Sequence, residues 1–196
     1  LYIKLTIMMK TKLIAISAFA LTIGTIAILP SCTRIANLLT ANVAMQTESV
    51  NVTIPVTTGV NGVISVGPES NKYNVDSLIQ AQTAGQFNAS NINSVKLKSV
   101  VFTLSNSNTM NNFANFESVS ATFYSNTDNT PYTVSIPSNP DITTNTLMLP
   151  VDTARELKSY IGNEFFYTVE GKLRRPTTIP LECSITFAFN LKVQGN

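Results

Sequence analysis

Seven apolar residues fall on successive odd positions near the carboxyl end: Leu181, Cys183, Ile185, Phe187, Phe189, Leu191 and Val193. Glu182, Ser184, Thr186, Ala188, Asn190, Lys192 and Gln194 fill the even ones. A helix would scatter these side chains around its circumference, whereas a strand sends every second one to the same face. The stretch therefore predicts a long strand with one buried face. Such a strand needs a sheet around it and a second layer to cover it.

Weaker versions of the same alternation precede it. Phe165, Tyr167 and Val169 alternate with Phe166, Thr168 and Glu170, and the Pro-interrupted basic loop from Lys172 to Pro180 is expected to join this strand to the last one as an antiparallel hairpin. Val50, Val52, Ile54 and Val56 form another strand, with Pro55 marking an edge or an end. Val63 to Val66 follows Asn61-Gly62, a hairpin-turn pair. Val95 and Leu97 share one parity and Val100, Phe102 and Leu104 the other, which predicts a bulge near Ser99. Val119 to Phe123, Tyr132 to Ile136 and Leu147 to Leu149 complete the set. Two short helices are expected, one over Ser77 to Gln82, preceded by Asp76 and stopped by Gly85. The other leads from Asp152-Thr153-Ala154-Arg155-Glu156 into Leu157 to Tyr160 with Gly162 as its stop, and Thr153 and Glu156 lie at capping-box spacing. About eight strands and two short helices predict an all-β, antiparallel β-sandwich, with a closed barrel as the alternative. An outer-membrane barrel is disfavoured, because the segments are irregular and lack aromatic girdles.

The amino-terminal region reads differently. Leu13 to Leu29 is an uncharged apolar run preceded by Lys10 and Lys12, the pattern of a secretory signal peptide. It closes in Leu29-Pro30-Ser31-Cys32, which resembles the bacterial lipobox. That resemblance implies cleavage before Cys32 and acylation of its thiol and new amino terminus; an uncleaved anchor is the alternative. Met8 and Met9 are candidate starts, which would leave residues 1–7 untranslated. The expected organisation is a signal peptide over 1–31, a lipidated tether over 32–48 and the sandwich over 49–196. Thr33 stands where enteric lipoproteins retained in the inner membrane carry Asp, and no acid precedes Glu48 where surface-exported Bacteroidota lipoproteins carry an acidic cluster, so the lipobox resemblance implies the outer membrane and its periplasmic side rather than the cell surface. Removing residues 1–31 takes three of the 13 basic residues and none of the 11 acidic ones, so the mature charge is 10 − 11 = −1. Nothing in that balance suits nucleic acid.

Asn93 to Val100, Phe116-Glu117-Ser118-Val119 and Leu157-Lys158-Ser159-Tyr160 resemble segments of uncharacterised Bacteroidota lipoproteins with an immunoglobulin-like sandwich. The resemblance implies fold and compartment, and brings no activity or site residues with it.

Catalytic chemistry finds little to work with. The chain has no His and two Cys, so no metal-ligand set, Cys–His pair or cofactor motif is present. Cys183 lies in the inward row of the last strand and is expected as a core thiol. Lys172, Arg174 and Arg175 form a candidate anion-contact loop, although a solvated loop has the same composition. Asp76-Ser77-Leu78 and Asp152-Thr153-Ala154 resemble the O-glycosylation motif of Bacteroidota, which makes Ser77 and Thr153 candidate acceptors; helix caps are the competing explanation. Tyr124, Phe166 and the Asn-rich loop from Asn106 to Asn115 are candidates for an exposed contact surface. The resulting expectation is a non-catalytic, lipid-anchored envelope protein that contacts an envelope protein or glycan partner. The alternatives are a fimbrillin-like or adhesin accessory subunit and a small periplasmic hydrolase.

Overall fold

The computed structural model describes residues 39–60 and 62–195. The signal segment, Cys32 and the first part of the tether lie outside the described residues.

Nine strands form two antiparallel sheets among the described residues. They are β1 (Thr40–Gln46), β2 (Val50–Ile54), β3 (Val63–Lys72), β4 (Ile92–Leu104), β5 (Phe116–Ser125), β6 (Tyr132–Ile136), β7 (Thr146–Leu149), β8 (Glu164–Leu173) and β9 (Leu181–Gln194). One sheet runs β1-β9-β4-β7, with β2 also pairing β9, and the other runs β3-β8-β5-β6. The predicted last strand is β9, and its odd residues are all buried. The predicted bulge is also present: the β4–β9 register shifts between Leu97 and Ser99. The fold is an all-β sandwich.

Its connections differ from the expected ones. β1 and β2 act as one interrupted strand along β9, and from β2 onward every connection except β5–β6 crosses between sheets. This is the strand order of an eight-stranded jelly roll, whereas an immunoglobulin sandwich keeps its first two strands as neighbours in one sheet. Neither expected hairpin forms, since β2 and β9 belong to one sheet and β3 and β8 to the other. The physical reason is the same for both long strands. β9 already has β1, β2 and β4 beside it, and β8 has β3 and β5, so neither has a free side for the other.

Three further corrections concern local structure. The tether ends earlier than expected, because Thr40–Gln46 pairs with β9 from Gln194 to Ala188 and buries Val43 and Met45. The first helix, α1 (Val75–Gln82), starts two residues early and takes Asp76 into its first turn, with Asn74 as its cap accepting from the Ser77 N–H at 2.9 Å. The second expected helix is a turn followed by a single 3₁₀ turn over Lys158–Tyr160. Glu156 does not close a capping box with Thr153. Its carboxylate instead accepts from the Val95 N–H (2.7 Å) and Ser94 Oγ (2.6 Å), and the Leu157 N–H donates to Val95 O. That strapping onto β4 competes with helix formation and prevails.

The core fills the space between the sheets. Phe123 of β5 sits edge-on against Phe187 and Phe189 of β9, Tyr132 of β6 and Tyr160. Cys183 is 2% exposed, and burial pushes its thiol pKa up to about 12. The native thiol should therefore resist iodoacetamide at mildly alkaline pH and react once the chain is denatured, because only the thiolate alkylates. Appreciable labelling of the Cys183 peptide in the folded protein, read apart from Cys32, would show that this face of β9 opens.

Candidate functional site

The three basic residues meet partners within the fold. Lys172 Nζ lies 2.7 Å from Glu117 Oε2. The Arg174 guanidinium donates to Asn139 O (2.6 Å) and Ala114 O (3.1 Å). Arg175 donates to Ala114 O (2.9 Å) and to both carboxylate oxygens of Asp141. The Arg175 hydrogen bond, ahead of the charges of both arginines, holds the Asp141 carboxyl below the usual carboxylate range. An anion approaching this loop would therefore compete with Asp141 and Glu117.

The Asn-rich loop is largely turned inward. Asn111, Asn112, Asn115 and Asn139 are all buried. Asn112 caps the short turn at Phe113–Asn115, while its amide donates to Asn108 O (2.9 Å). Asn115 Nδ2 bridges Met110 O and Pro176 O, both at 3.0 Å, and Asn111 binds Thr178. Asn139 Nδ2 donates to Phe113 O (2.7 Å) and Phe116 O (3.1 Å). These amides satisfy the backbone of crossing loops that have no ladder partner. The expected ligand-facing loop is a polar plug closing one end of the sandwich. Asn tolerates turns in any loop, so its sequence gave no sign of this role.

The other expected sites separate. Ser77 and Thr153 are both exposed; neither hydroxyl has a hydrogen-bond partner among the described residues, and Thr153 caps no helix. Tyr124 and Phe166 are cross-strand partners on the outer face of β5 and β8, stacked at 4.9 Å between ring centroids. The register surrounds them with hydroxyls: Thr168 opposite Thr122 opposite Thr133, and Glu170 opposite Ser120 opposite Ser135. An open cleft of about 700 Å³ lies at the start of α1, bordered by Lys72, Tyr73, Asn74, Asp76, Asn163 and Glu164. No local pattern in the sequence marks it, because it joins the β3–α1 corner to the segment before β8. Two acids reach its rim, but the Asp76 oxygens accept from Gln80 (2.6 Å) and the Ala89 N–H (2.8 Å). No group of three or more metal-binding side chains occurs among the described residues.

No family model matches the chain. No curated protein matches it either. Two solved structures resemble it at a distance. One of Desmodium yellow mottle tymovirus has a TM-score of 0.33 and 9% identity, over 91% of this chain and 95% of that one. One of the empty head of turnip yellow mosaic virus has a TM-score of 0.30 and 12% identity, over 90% of each. Likeness at this level carries no functional argument, and the jelly-roll order rests on the strand pairing alone.

Proposed function

We propose that this chain is a non-catalytic lipoprotein of the cell envelope, held to the outer membrane through Cys32 and facing the periplasm. The observation that carries the reading is Leu29-Pro30-Ser31-Cys32 at the end of an uncharged apolar run. Two or three acyl chains at ~0.8 kcal/mol per buried CH₂ make such an anchor essentially permanent. β1 begins at position 40, eight residues beyond Cys32. Even fully extended, that tether spans only about 28 Å, so the sandwich would work close to the bilayer.

Binding of an envelope protein or glycan, rather than catalysis, fits the side chains that are free to act. The loop cations are matched by acids, and the outer face of the β3-β8-β5-β6 sheet offers hydroxyls beside one aromatic pair. Ser77 and Thr153 are the proposed O-glycan acceptors, since both hydroxyls are exposed. Metabolic labelling with radiolabelled palmitate tests the anchor. The wild type should incorporate label and a Cys32→Ala variant should not; equal labelling of the two would overturn the reading. Intact mass of the mature protein tests the glycans, since a mass equal to the lipidated polypeptide removes them.

A further inference from the structure

The edges of the two sheets are guarded in different ways, and one guard is a single side chain. In β1, Leu39 O accepts from the Gly195 N–H and the Thr47 N–H donates to Phe187 O. Odd residues of β1 therefore face β9, and Thr40, Asn42, Ala44 and Gln46 turn their backbone groups outward. Among the described residues only Ala44 is met there. Its N–H donates to Gln82 Oε1 (3.2 Å) and its carbonyl accepts from Gln82 Nε2 (2.7 Å). The carboxamide at the end of α1 thus supplies the two hydrogen bonds that a neighbouring strand would otherwise make.

The remaining edges carry guards of a more usual kind, proline or charge. β2 is followed by Pro55 in its outward register. β3 is broken at Gly67–Pro68 and carries Glu69 and Lys72. On β6 the outward positions Thr133 and Ser135 are flanked by Pro131 and Pro137 in the same register. On β7 the Thr146 N–H and carbonyl are both taken by Thr144 Oγ1 (3.1 and 2.9 Å), and Pro150 follows. β1 has neither a proline nor a charge along Thr40–Gln46. Apolar and amide-rich strands of that composition are the ones that pair with copies of themselves.

We propose that Gln82 is an edge lock, and that the occupant it excludes is the β1 edge of a second copy of this chain. Antiparallel pairing at full overlap would set Val43 opposite Val43 of the second copy, Ala44 opposite its Asn42, and Thr40 opposite its Gln46. No charge opposes a charge in that register, so among the described residues the Gln82 bonds to Ala44 are the feature that stands against it. The pairing needs the outward groups of Ala44, which is why one carboxamide is enough to block it. This inference does not rest on the envelope reading.

The test is sedimentation velocity of the full chain in a non-ionic detergent, with amide exchange followed at residues 40–46. Wild type should be monomeric with a protected Ala44 amide. Gln82→Ala, at an exposed helix end, should self-associate at least about tenfold more tightly, the worth of roughly one hydrogen bond pair. Its Ala44 amide should exchange fast when dilute and slowly when concentrated. Adding Asn42→Pro, which removes an outward N–H and leaves the β1–β9 ladder intact, should restore the monomer. If that double variant fails to fold, Asn42→Lys sets like charges near one another across the same seam and should do the same. A Gln82→Ala protein that sediments as wild type, or a dimer that survives the Asn42 changes, overturns the proposal.

Discussion

Phe123→Ala is expected to lower the unfolding free energy by about 3–5 kcal/mol, the range for removing a fully buried aromatic side chain. Phe123 is 0% exposed, and four rings pack edge-to-face around it. Their centroids lie 5.2 Å (Tyr132), 5.5 Å (Phe187), 5.6 Å (Tyr160) and 5.9 Å (Phe189) away. Two of those rings belong to the facing sheet, so the cavity would open in the seam between layers, where neither sheet can close it without shifting against the other. Edge-to-face pairs add about 0.5–1.5 kcal/mol each beyond burial, which places the loss toward the upper end. For a domain of this size the melting temperature should fall by roughly 10 °C. Urea unfolding with an unchanged m-value checks it. A loss under about 1 kcal/mol would mean that the two sheets are held together elsewhere.

Phe123 was legible as a core residue because strand parity is local information. The same holds for the odd row of β9, for the bulge near Ser99 and for most of α1, each of which shows in a window of about ten residues. Parity reveals which face is buried but says nothing about the neighbouring strand. That is why β8 and β9, adjacent in sequence and both amphipathic, were expected to pair when they lie in opposite layers. The strand within the expected tether is hidden in the sequence for a related reason. Thr40–Gln46 contributes only Val43 and Met45 to the core, too short an alternation to stand out, and it becomes a strand because β9 is long enough to seat β1 and β2 end to end.

The contacts that matter most around the candidate sites were not legible at all. Gln82 meets Ala44 across 38 positions, and Glu156 meets Val95 across 61. Burial presses the Glu156 carboxyl toward neutrality, but hydrogen bonds from Ser94, Val95 and Lys158, with the Lys96 charge, outweigh it and hold its pKa below the ordinary value. A carboxylate three residues after a Thr resembles a capping box in any sequence. Only the fold shows that an unpaired N–H on β4 lies within its reach. Amide and carboxylate side chains act here as surrogate backbone, filling hydrogen-bond positions where strands cross between sheets, and a composition rich in Asn and Thr is what such a jelly roll uses for its crossings.

Asn139 gives the sharpest test of that role. It is 3% exposed. Its side-chain amide donates to Phe113 O and Phe116 O, its backbone carbonyl accepts from Arg174 at 2.6 Å, and its backbone N–H donates to Glu117 O at 2.7 Å. Asn139→Ala should cost about 2–3 kcal/mol, because two buried carbonyls lose a donor and nothing replaces it. Asn139→Asp keeps the shape and should cost more at neutral pH, since a carboxylate has no proton to offer and would face two carbonyl oxygens. Those neighbours and the burial should raise its pKa in the folded protein above the unfolded value of about 3.9, against the opposing charge of Arg174, whose guanidinium is held on the Asn139 backbone carbonyl. A raised folded-state pKa favours the protonated form. The Asp variant should therefore recover toward the Ala variant as pH falls through the raised folded value, where the acid regains one donor, with the recovery complete below the unfolded value of about 3.9, and lose that stability as pH rises back through the folded value. Urea midpoints of the three proteins at neutral and acidic pH, each referred to wild type, measure the effect. An Asp variant as stable as wild type at neutral pH, or one whose deficit does not change with pH, would show that the plug does not depend on donation from this amide.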